Sequence, residues 1–276
     1  MKIYQKFVIL VYKSKKVDIG LRFKKGDVMK IAVCVSQVPD TTTKVKVGAD
    51  GKTIDPAGVT FIINPYDEFA VEAALQLKEK QGGETTVISV GNDRNKEAIK
   101  KAYSMGIEKG ILIKSDAEMD SYTVARNLAD VLKEISPDII FFGKQSIDYD
   151  DSQVGSLVAE MLSIPSISVV VDLKVDGNKV TCEREIEGGK EVVESSLPVA
   201  IAAQRGLNNP RYPNLKGIMQ AKSKAIEERQ PTYTENKTEI LSMSLPQPKP
   251  KGKIVGTDVS AVPELVRLLR EEAKVI

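Results

Sequence analysis

Ile139-Ile140-Phe141-Phe142-Gly143-Lys144-Gln145-Ser146-Ile147-Asp148-Tyr149-Asp150-Asp151-Ser152-Gln153-Val154 is the stretch whose reading decides the architecture. Ile139–Phe142 is an unbroken apolar run, bounded by Ser136-Pro137-Asp138 on one side and Gly143 on the other. A run this short, with no polar alternation, predicts a strand buried on both faces. The polar loop Gly143–Asp151 follows it, and Ser152–Leu162 reads as a helix. A strand covered on both faces requires helices above and below the sheet.

The same unit recurs upstream. Ile31–Val35, Thr85–Val90 and Gly110–Ile113 read as buried strands. Between them, Asn64 and Pro65 open a helix with Phe69, Ala70, Ala73, Ala74 and Leu77 at helical spacing, stopped by Gly82-Gly83. Lys96–Met105 is amphipathic and closed by Gly106, and Tyr122–Ile135 is a helix capped by Asp120 or Ser121. Lys44–Val47 and Lys52–Ile54 around Asp50-Gly51 read as a hairpin. Repeated strand-helix units predict an α/β fold with a parallel sheet flanked by helices.

Downstream the pattern changes. Ser168–Val175, Lys179–Ile186 and Glu191–Ser196 alternate, with turn signals at Asp176-Gly177-Asn178 and Glu187-Gly188-Gly189. They predict an antiparallel meander, and Val199–Ala203 adds one more apolar strand. Leu207–Lys224 reads as a Pro- and Asn-rich loop displaying Leu215, Ile218 and Met219. From Ala225 onward Pro231, Pro246, Pro248 and Pro250 interrupt regular structure until the amphipathic Pro263–Glu272. Residues 225–276 thus read as an extended C-terminal arm that either folds back on the domain or wraps a partner. Residues 29–224 form the α/β domain, with 207–219 as a recognition loop. Met1–Val28, Lys-rich around the apolar Phe7–Tyr12, reads as an N-terminal extension, disordered on this view, with an edge strand from Lys6–Lys13 as the alternative. Its apolar run is too short for a membrane span, and no small-residue cleavage site follows.

The 276 residues include 40 Lys+Arg, 38 Asp+Glu and no His, for a net charge of +2. Without His there is no His-based triad, proton shuttle or metal site, and a near-neutral charge argues against a nucleic-acid groove. No base stands out to activate a nucleophile, so the reading assigns no catalytic and no metal-binding residue. Cys34 and Cys182 lie in strand-like stretches as small hydrophobes, which fits a reducing, intracellular compartment. No G-x-G-x-x-G or P-loop signature is present.

A ligand of an open α/β sheet binds beyond the carboxyl ends of the strands. The loops there are Ser36–Thr43, Asn64–Asp67, Gly91–Asp93 and Gly143–Val154. Free N–H groups at Ser152, Gln153 and Val154 suit a phosphate. Asp148, Asp150 and Asp151 oppose an anion unless they point away, cap the helix, or bond a ribose or an adenine amino group. A Mg²⁺ site built from them is the weaker alternative.

Taken in order, these motifs resemble the β subunit of electron-transfer flavoproteins. The resemblance rests on Ile31–Val35, Asn64-Pro65-Tyr66-Asp67-Glu68, Ala102-Tyr103-Ser104-Met105-Gly106, Gly143-Lys144-Gln145-Ser146-Ile147-Asp148, Arg184-Glu185-Ile186-Glu187-Gly188-Gly189 and Asn209-Pro210-Arg211-Tyr212 with Ile218-Met219. It covers about Met29–Lys224.

The resemblance implies an adenine-nucleotide-binding, Rossmann-like domain that pairs with an α subunit holding most contacts to a redox-active FAD. It implies a structural AMP at Cys34, Asn64, Pro65, Tyr66, Asp67 and Val90. The same AMP would touch Gly143, Lys144, Gln145, Ser146, Ile147, Asp148, Tyr149, Asp150, Asp151, Ser152, Gln153 and Val154. Thr41 and Tyr66 fall where the family approaches the flavin, and Leu215 falls on the leucine that docks dehydrogenases. The implied protein is a cytoplasmic electron carrier and not an enzyme. It takes electrons from acyl-CoA-type dehydrogenases and delivers them to a quinone oxidoreductase or another acceptor. Departures are Val154, which offers a phosphate only its N–H, and Gln220 and Ser223 in place of lysines. Asp120-Ser121 and Gln153-Val154-Gly155 are similar to a subset that binds a second FAD in place of AMP and bifurcates electrons from NADH. An adenine-nucleotide-dependent enzyme of similar fold, or a nucleotide sensor, remain as further alternatives.

Overall fold

The computed structural model describes residues 28–248 and 251–276; the expectation for the N-terminal extension falls almost wholly outside them. Two compact units are present. The first comprises residues up to Val45 together with Pro56–Leu241, and the second Lys46–Asp55 with Ser242–Ile276.

In the first unit the chain alternates as the apolar runs dictate. β1 (Lys30–Cys34), β2 (Gln37–Pro39) and β3 (Phe61–Ile63) precede α1 (Pro65–Gln81). Then come β4 (Glu84–Gly91), α2 (Asn95–Met105), β5 (Lys109–Lys114), α3 (Ser121–Ile135), β6 (Ile139–Gly143) and α4 (Val154–Leu162). β7 (Ser166–Asp176), β8 (Lys179–Ile186), β9 (Gly189–Ser196) and β10 (Val199–Ala203) follow, with α5 (Leu215–Ser223) and β11 (Glu227–Arg229) last.

The sheet among the described residues has nine strands in the order β11-β5-β4-β1-β6-β10-β7-β8-β9. Pairings from β11 through to β7 are parallel, and β7-β8-β9 is the antiparallel meander. β7 serves both regimes and carries a register shift against β10. The unbroken apolar strands have a direct cause. Ile31, Val33, Val87, Ile139, Phe141 and Ile201 pack into the layer containing α1 and α2. Their neighbours Ala32, Cys34, Ile88, Ile140, Phe142 and Ala200 pack into the layer containing α3 and α4. Successive residues of a strand point to opposite faces, so both must be apolar when both faces are covered.

Four local readings are corrected. The hairpin at 44–54 is shorter than read: one antiparallel bridge, Val47 to Ile54, flanked by Gly48 N to Thr53 O and Asp55 N to Lys46 O, around a turn in which the Asp50 carboxylate accepts from Lys52 N and Thr53 N. The loop read at Leu207–Lys224 contains α5, which Asn214 caps by accepting from Gly217 N at 2.7 Å. Within the stretch read as irregular, Glu227–Arg229 adds β11 parallel to β5. The 36–43 loop contains β2, which pairs with β3.

In the second unit a short 3₁₀ turn at Val259–Ala261 leads into α6 (Val262–Glu271). There Arg267 bonds Glu264 and Glu271 along the exposed face. Among the described residues no helix is long and apolar enough to cross a membrane.

Candidate functional site

The chain leaves β1 toward β4 and β5 on one side and returns to β6 on the other, so the topological switch lies between β1 and β6. A crevice opens at such a point beyond the strand ends. Asp67, in the first turn of α1, is buried at the strand ends beside that switch. One carboxylate oxygen accepts from Ser36 N at 2.7 Å and Ser36 Oγ at 3.0 Å; the other accepts from Asn64 Nδ2 at 2.9 Å and Gly143 N at 3.1 Å. One buried carboxylate thus joins the end of β1, the start of α1 and the end of β6. Burial pushes the Asp67 carboxyl up to about 6 against the lowering effect of these four bonds.

Gly143 is required here by space. A Cβ would stand 2.8 Å from the Tyr66 carbonyl carbon and collide with the Asp67 carboxylate.

Asn64 does not cap α1 with its side chain. It occupies the capping position with Pro65 next, but its amide Nδ2 donates to Asp67 and to Gln145 O at 2.9 Å. Its Oδ1 is buried and has no hydrogen-bond donor. A buried acceptor without a donor is costly, and a ligand amino or hydroxyl group would relieve it.

The loop from Gly143 is tied to itself. Ser146 N donates to Asp151 O at 2.8 Å, and Gln145 Nε2 donates to Asp150 Oδ1 at 2.5 Å. Asp148 accepts from Ser146 Oγ and Tyr149 N. Asp151 accepts from Gln153 N, Gln153 Nε2 and Ser121 Oγ. The three carboxylates are therefore engaged with the loop's own donors and with α3. The helix begins at Val154, two residues later than read, because Asp151 takes the Gln153 N–H into a turn. The N–H groups left without partners inside the helix are those of Val154, Gly155 and Ser156, and no carboxylate of the loop accepts from them. Ser152 is exposed, and Ile147 is half-buried in the loop.

Other predicted positions fall around this point. Cys34 ends β1 with a buried thiol, which burial and the Asp67 charge push up. Val90 ends β4 and packs with the α3 and α4 layer. Lys144 Nζ lies 5.0 Å over the Tyr66 ring, and Lys144 N donates to Ala203 O. Thr41 is exposed in the turn after β2, outside the bonds that gather at Asp67. Ser36 enters the sequence reading only as the start of a strand-end loop, and Ser121 only as a cap of α3 and in the resemblance; neither is paired there with a carboxylate. No spacing signals a serine that meets a carboxylate thirty residues away in the chain.

Leu215 lies apart, at the first residue of α5, 74% exposed, with Tyr212 and Met219 also exposed. Arg211 fixes the approach to it. The guanidinium donates to Glu72 at 2.8 and 3.0 Å and to Glu79 at 2.5 and 3.2 Å. α5 lies so close to α2 that a Cβ on Gly217 would stand 2.5 Å from Ser104 O.

A family model described as "Electron transfer flavoprotein domain" matches residues 52–233. The electron transfer flavoprotein subunit beta of Syntrophomonas wolfei is 44% identical over 225 residues, covering 81% of this chain and 88% of that protein. The subunit beta of Bacillus subtilis is 38% identical over 259 residues, 90% of this chain and 100% of its own length. The mitochondrial subunit beta of Arabidopsis thaliana is 35% identical over 253 residues, with 90% and 100% covered.

Proposed function

The chain belongs to the electron transfer flavoprotein family, among its β subunits, and from that premise we propose that it is the non-catalytic half of an α/β electron carrier. On this reading it binds one AMP as a structural nucleotide and walls an FAD held mainly by the α subunit. The flavin supplies the chemistry of electron acceptance and release; this chain transforms no substrate of its own.

The buried Asn64 Oδ1 is the observation that carries the nucleotide assignment. It is an acceptor beside the Asp67 hub at the sheet's switch point, and an adenine amino group or a ribose hydroxyl is the donor it lacks. The N–H groups of Val154, Gly155 and Ser156 suit a phosphate because the first turn of a helix leaves them free and carries positive partial charge. Asp148, Asp150 and Asp151 are engaged with loop donors rather than with the first turn of α4, which eases their opposition to an anion there. Cys34, Pro65, Val90 and the remainder of Gly143–Val154 line the same pocket on this reading. Tyr66, under the Lys144 ammonium, and Thr41 are assigned to the flavin side.

Leu215 is assigned to dehydrogenase docking. An exposed leucine at the start of a helix, on a loop pinned by Arg211, can bury itself in a partner at little entropic loss. Residues 225–276 are assigned to contact with the α subunit. Electrons would arrive from acyl-CoA-type dehydrogenases and leave to a quinone oxidoreductase or another acceptor, in the cytoplasm.

The test is nucleotide release from the purified α/β complex, with AMP and FAD counted per heterodimer after denaturation. One of each is expected. Two FAD and no AMP would replace this reading with the bifurcating one, and NADH oxidation would be assayed next. Neither nucleotide would refute the assignment of the Asn64 pocket.

A further inference from the structure

α3 carries a polar stripe at helical spacing, Asp120, Thr123, Asn127 and Asp130, and the stripe is covered by the strap formed by residues 232–238. The covering is done by backbone bonds. Asn127 Oδ1 accepts from Thr232 N at 2.8 Å and Tyr233 N at 3.1 Å, and its Nδ2 donates to Tyr233 O at 2.7 Å. Thr123 Oγ1 donates to Glu235 O at 2.8 Å. At the helix start, Asp120 Oδ1 accepts from Thr123 N, while its Oδ2 accepts from Lys237 N at 2.6 Å and Thr238 N at 2.8 Å. Burial opposes the charge, but these amides hold the Asp120 carboxyl down at about 2.

The next residue faces the other way. Ser121 Oγ donates to Asp151 Oδ2, in the loop assigned to the nucleotide. Two adjacent residues at one helix start therefore hold two segments that are otherwise far apart in the chain. Asp120 holds the strap and Ser121 the loop, and Asp151 in turn fixes Gln153 at the entry to α4.

We infer that Asp120-Ser121 is a joint through which the Gly143–Val154 loop and the 232–238 strap stabilise each other, so that a nucleotide ordering the loop also tightens the root of the C-terminal arm. The nucleotide half of this inference rests on the function proposed above; the mechanical half rests on the bonds alone. Coupling of this kind is reciprocal: whatever factor the nucleotide adds to strap protection, loss of the strap removes from nucleotide affinity.

Hydrogen exchange by mass spectrometry on the full chain co-expressed with its α subunit separates the two halves. Peptides covering 143–154 and 232–238 are followed with and without added AMP, in the wild type, Ser121→Ala and Asp120→Asn. AMP should slow exchange of the strap in the wild type by about fivefold or more, the lower end of couplings between sites. Ser121→Ala should still bind AMP and lose that slowing. Asp120→Asn should speed exchange in the strap and also in the loop, even with no nucleotide added. The joint is overturned if Asp120→Asn speeds the strap while the loop keeps wild-type rates. It is also overturned if AMP slows the loop of the wild type and leaves the strap unchanged. If AMP neither binds nor slows anything, the nucleotide assignment fails and the Asp120→Asn comparison alone decides the joint.

Discussion

Replacing Arg211 by Gln tests how the Leu215 loop is held. The Glu72 side chain is 4% exposed and that of Arg211 34%, while the outer partner Glu79 is 56% exposed. Removing one partner of a buried ion pair costs about 3–5 kcal/mol, mainly because the other charge is stranded. Arg211 is a third exposed, so solvent reaches part of the pair and the lower end of that range applies. The Glu79 arm lies in solvent and adds about 0–1 kcal/mol. Arg211→Gln should therefore destabilise the protein by about 3 kcal/mol in equilibrium urea unfolding at pH 7.

The pH dependence carries the mechanism. Burial works to raise the Glu72 carboxyl, but the Arg211 and Gln76 bonds outweigh it and hold it below the ordinary glutamate value. A carboxylate depressed in the folded state contributes stability that is present above its unfolded pKa and lost as pH falls through the folded value. The gap between wild type and Arg211→Gln should be full at pH 7 and narrow below about pH 4. Glu72→Gln/Arg211→Gln, with no stranded charge, should recover about 1–2 kcal/mol relative to the single variant. A wild-type urea midpoint for Arg211→Gln, a gap that stays flat from pH 7 to pH 3, or a double variant weaker than the single one would each refute the reasoning.

Asp67→Asn keeps one acceptor oxygen and turns an NH₂ toward two donors, so nucleotide retention in the purified complex should fall by at least about tenfold. Its stability penalty should widen as pH falls from 7 to 4, by up to about 3 kcal/mol. The wild-type carboxyl, raised to about 6, gains stability on protonation and the amide does not. Urea midpoints of the pair across that range check the sign. Gly143→Ala should cost about 2 kcal/mol or more and release nucleotide, since the added carbon meets Tyr66 and Asp67; thermal unfolding and nucleotide counting both report it. Leu215→Ala should leave the flavin spectrum and thermal midpoint unchanged while slowing electron uptake from a partner dehydrogenase by about tenfold in stopped flow. Gly217→Ala should slow the same step with Leu215 intact, by lifting α5 off Ser104 O.

The sheet was legible in the sequence because its physics is local. Runs such as Ile31–Val35 and Ile139–Phe142 can be buried on two faces only as strands between helix layers, and the layers are as read. The strand-end loops followed from the same argument. What escaped was structure fixed by partners far away in the chain. Glu227-Glu228-Arg229 has no apolar period, yet it forms β11 through backbone pairing with β5, with Glu228 bonded to Lys96 and Arg229 to Glu134. Thr123 and Asn127 carry no apolar signal on α3, yet both are buried beneath the strap. In α5 the prolines at 210 and 213 drew a loop reading, although Asn214 before Leu215, Ile218 and Met219 is a cap followed by helical spacing. Asp67 falls in a loop that the strand-end argument and the resemblance both select, but its meeting with Ser36 and Gly143 has no trace in spacing.

Three carboxylates outside the apolar layers share one construction. Asp67, Glu72 and Asp120 each accept four hydrogen bonds, and each set includes donors from a segment distant in sequence. The segments are the Gly143–Val154 loop, the loop before Leu215 and the strap. None of these can bury an apolar face of its own, so hydrophobic packing cannot give it a unique shape. A buried or half-buried carboxylate is a poor source of net stability, because desolvation offsets most of what its bonds return. It is an effective source of geometry, since an anion ringed by fixed N–H donors tolerates no sliding of the backbone around it. The apolar layers therefore determine whether this chain folds, and these three anions determine where its working loops stand. It follows that isosteric amides at the three positions should leave the parallel sheet in place, while each displaces a different loop and so impairs a different property: nucleotide retention for Asp67, partner docking for Glu72 and anchoring of the arm for Asp120.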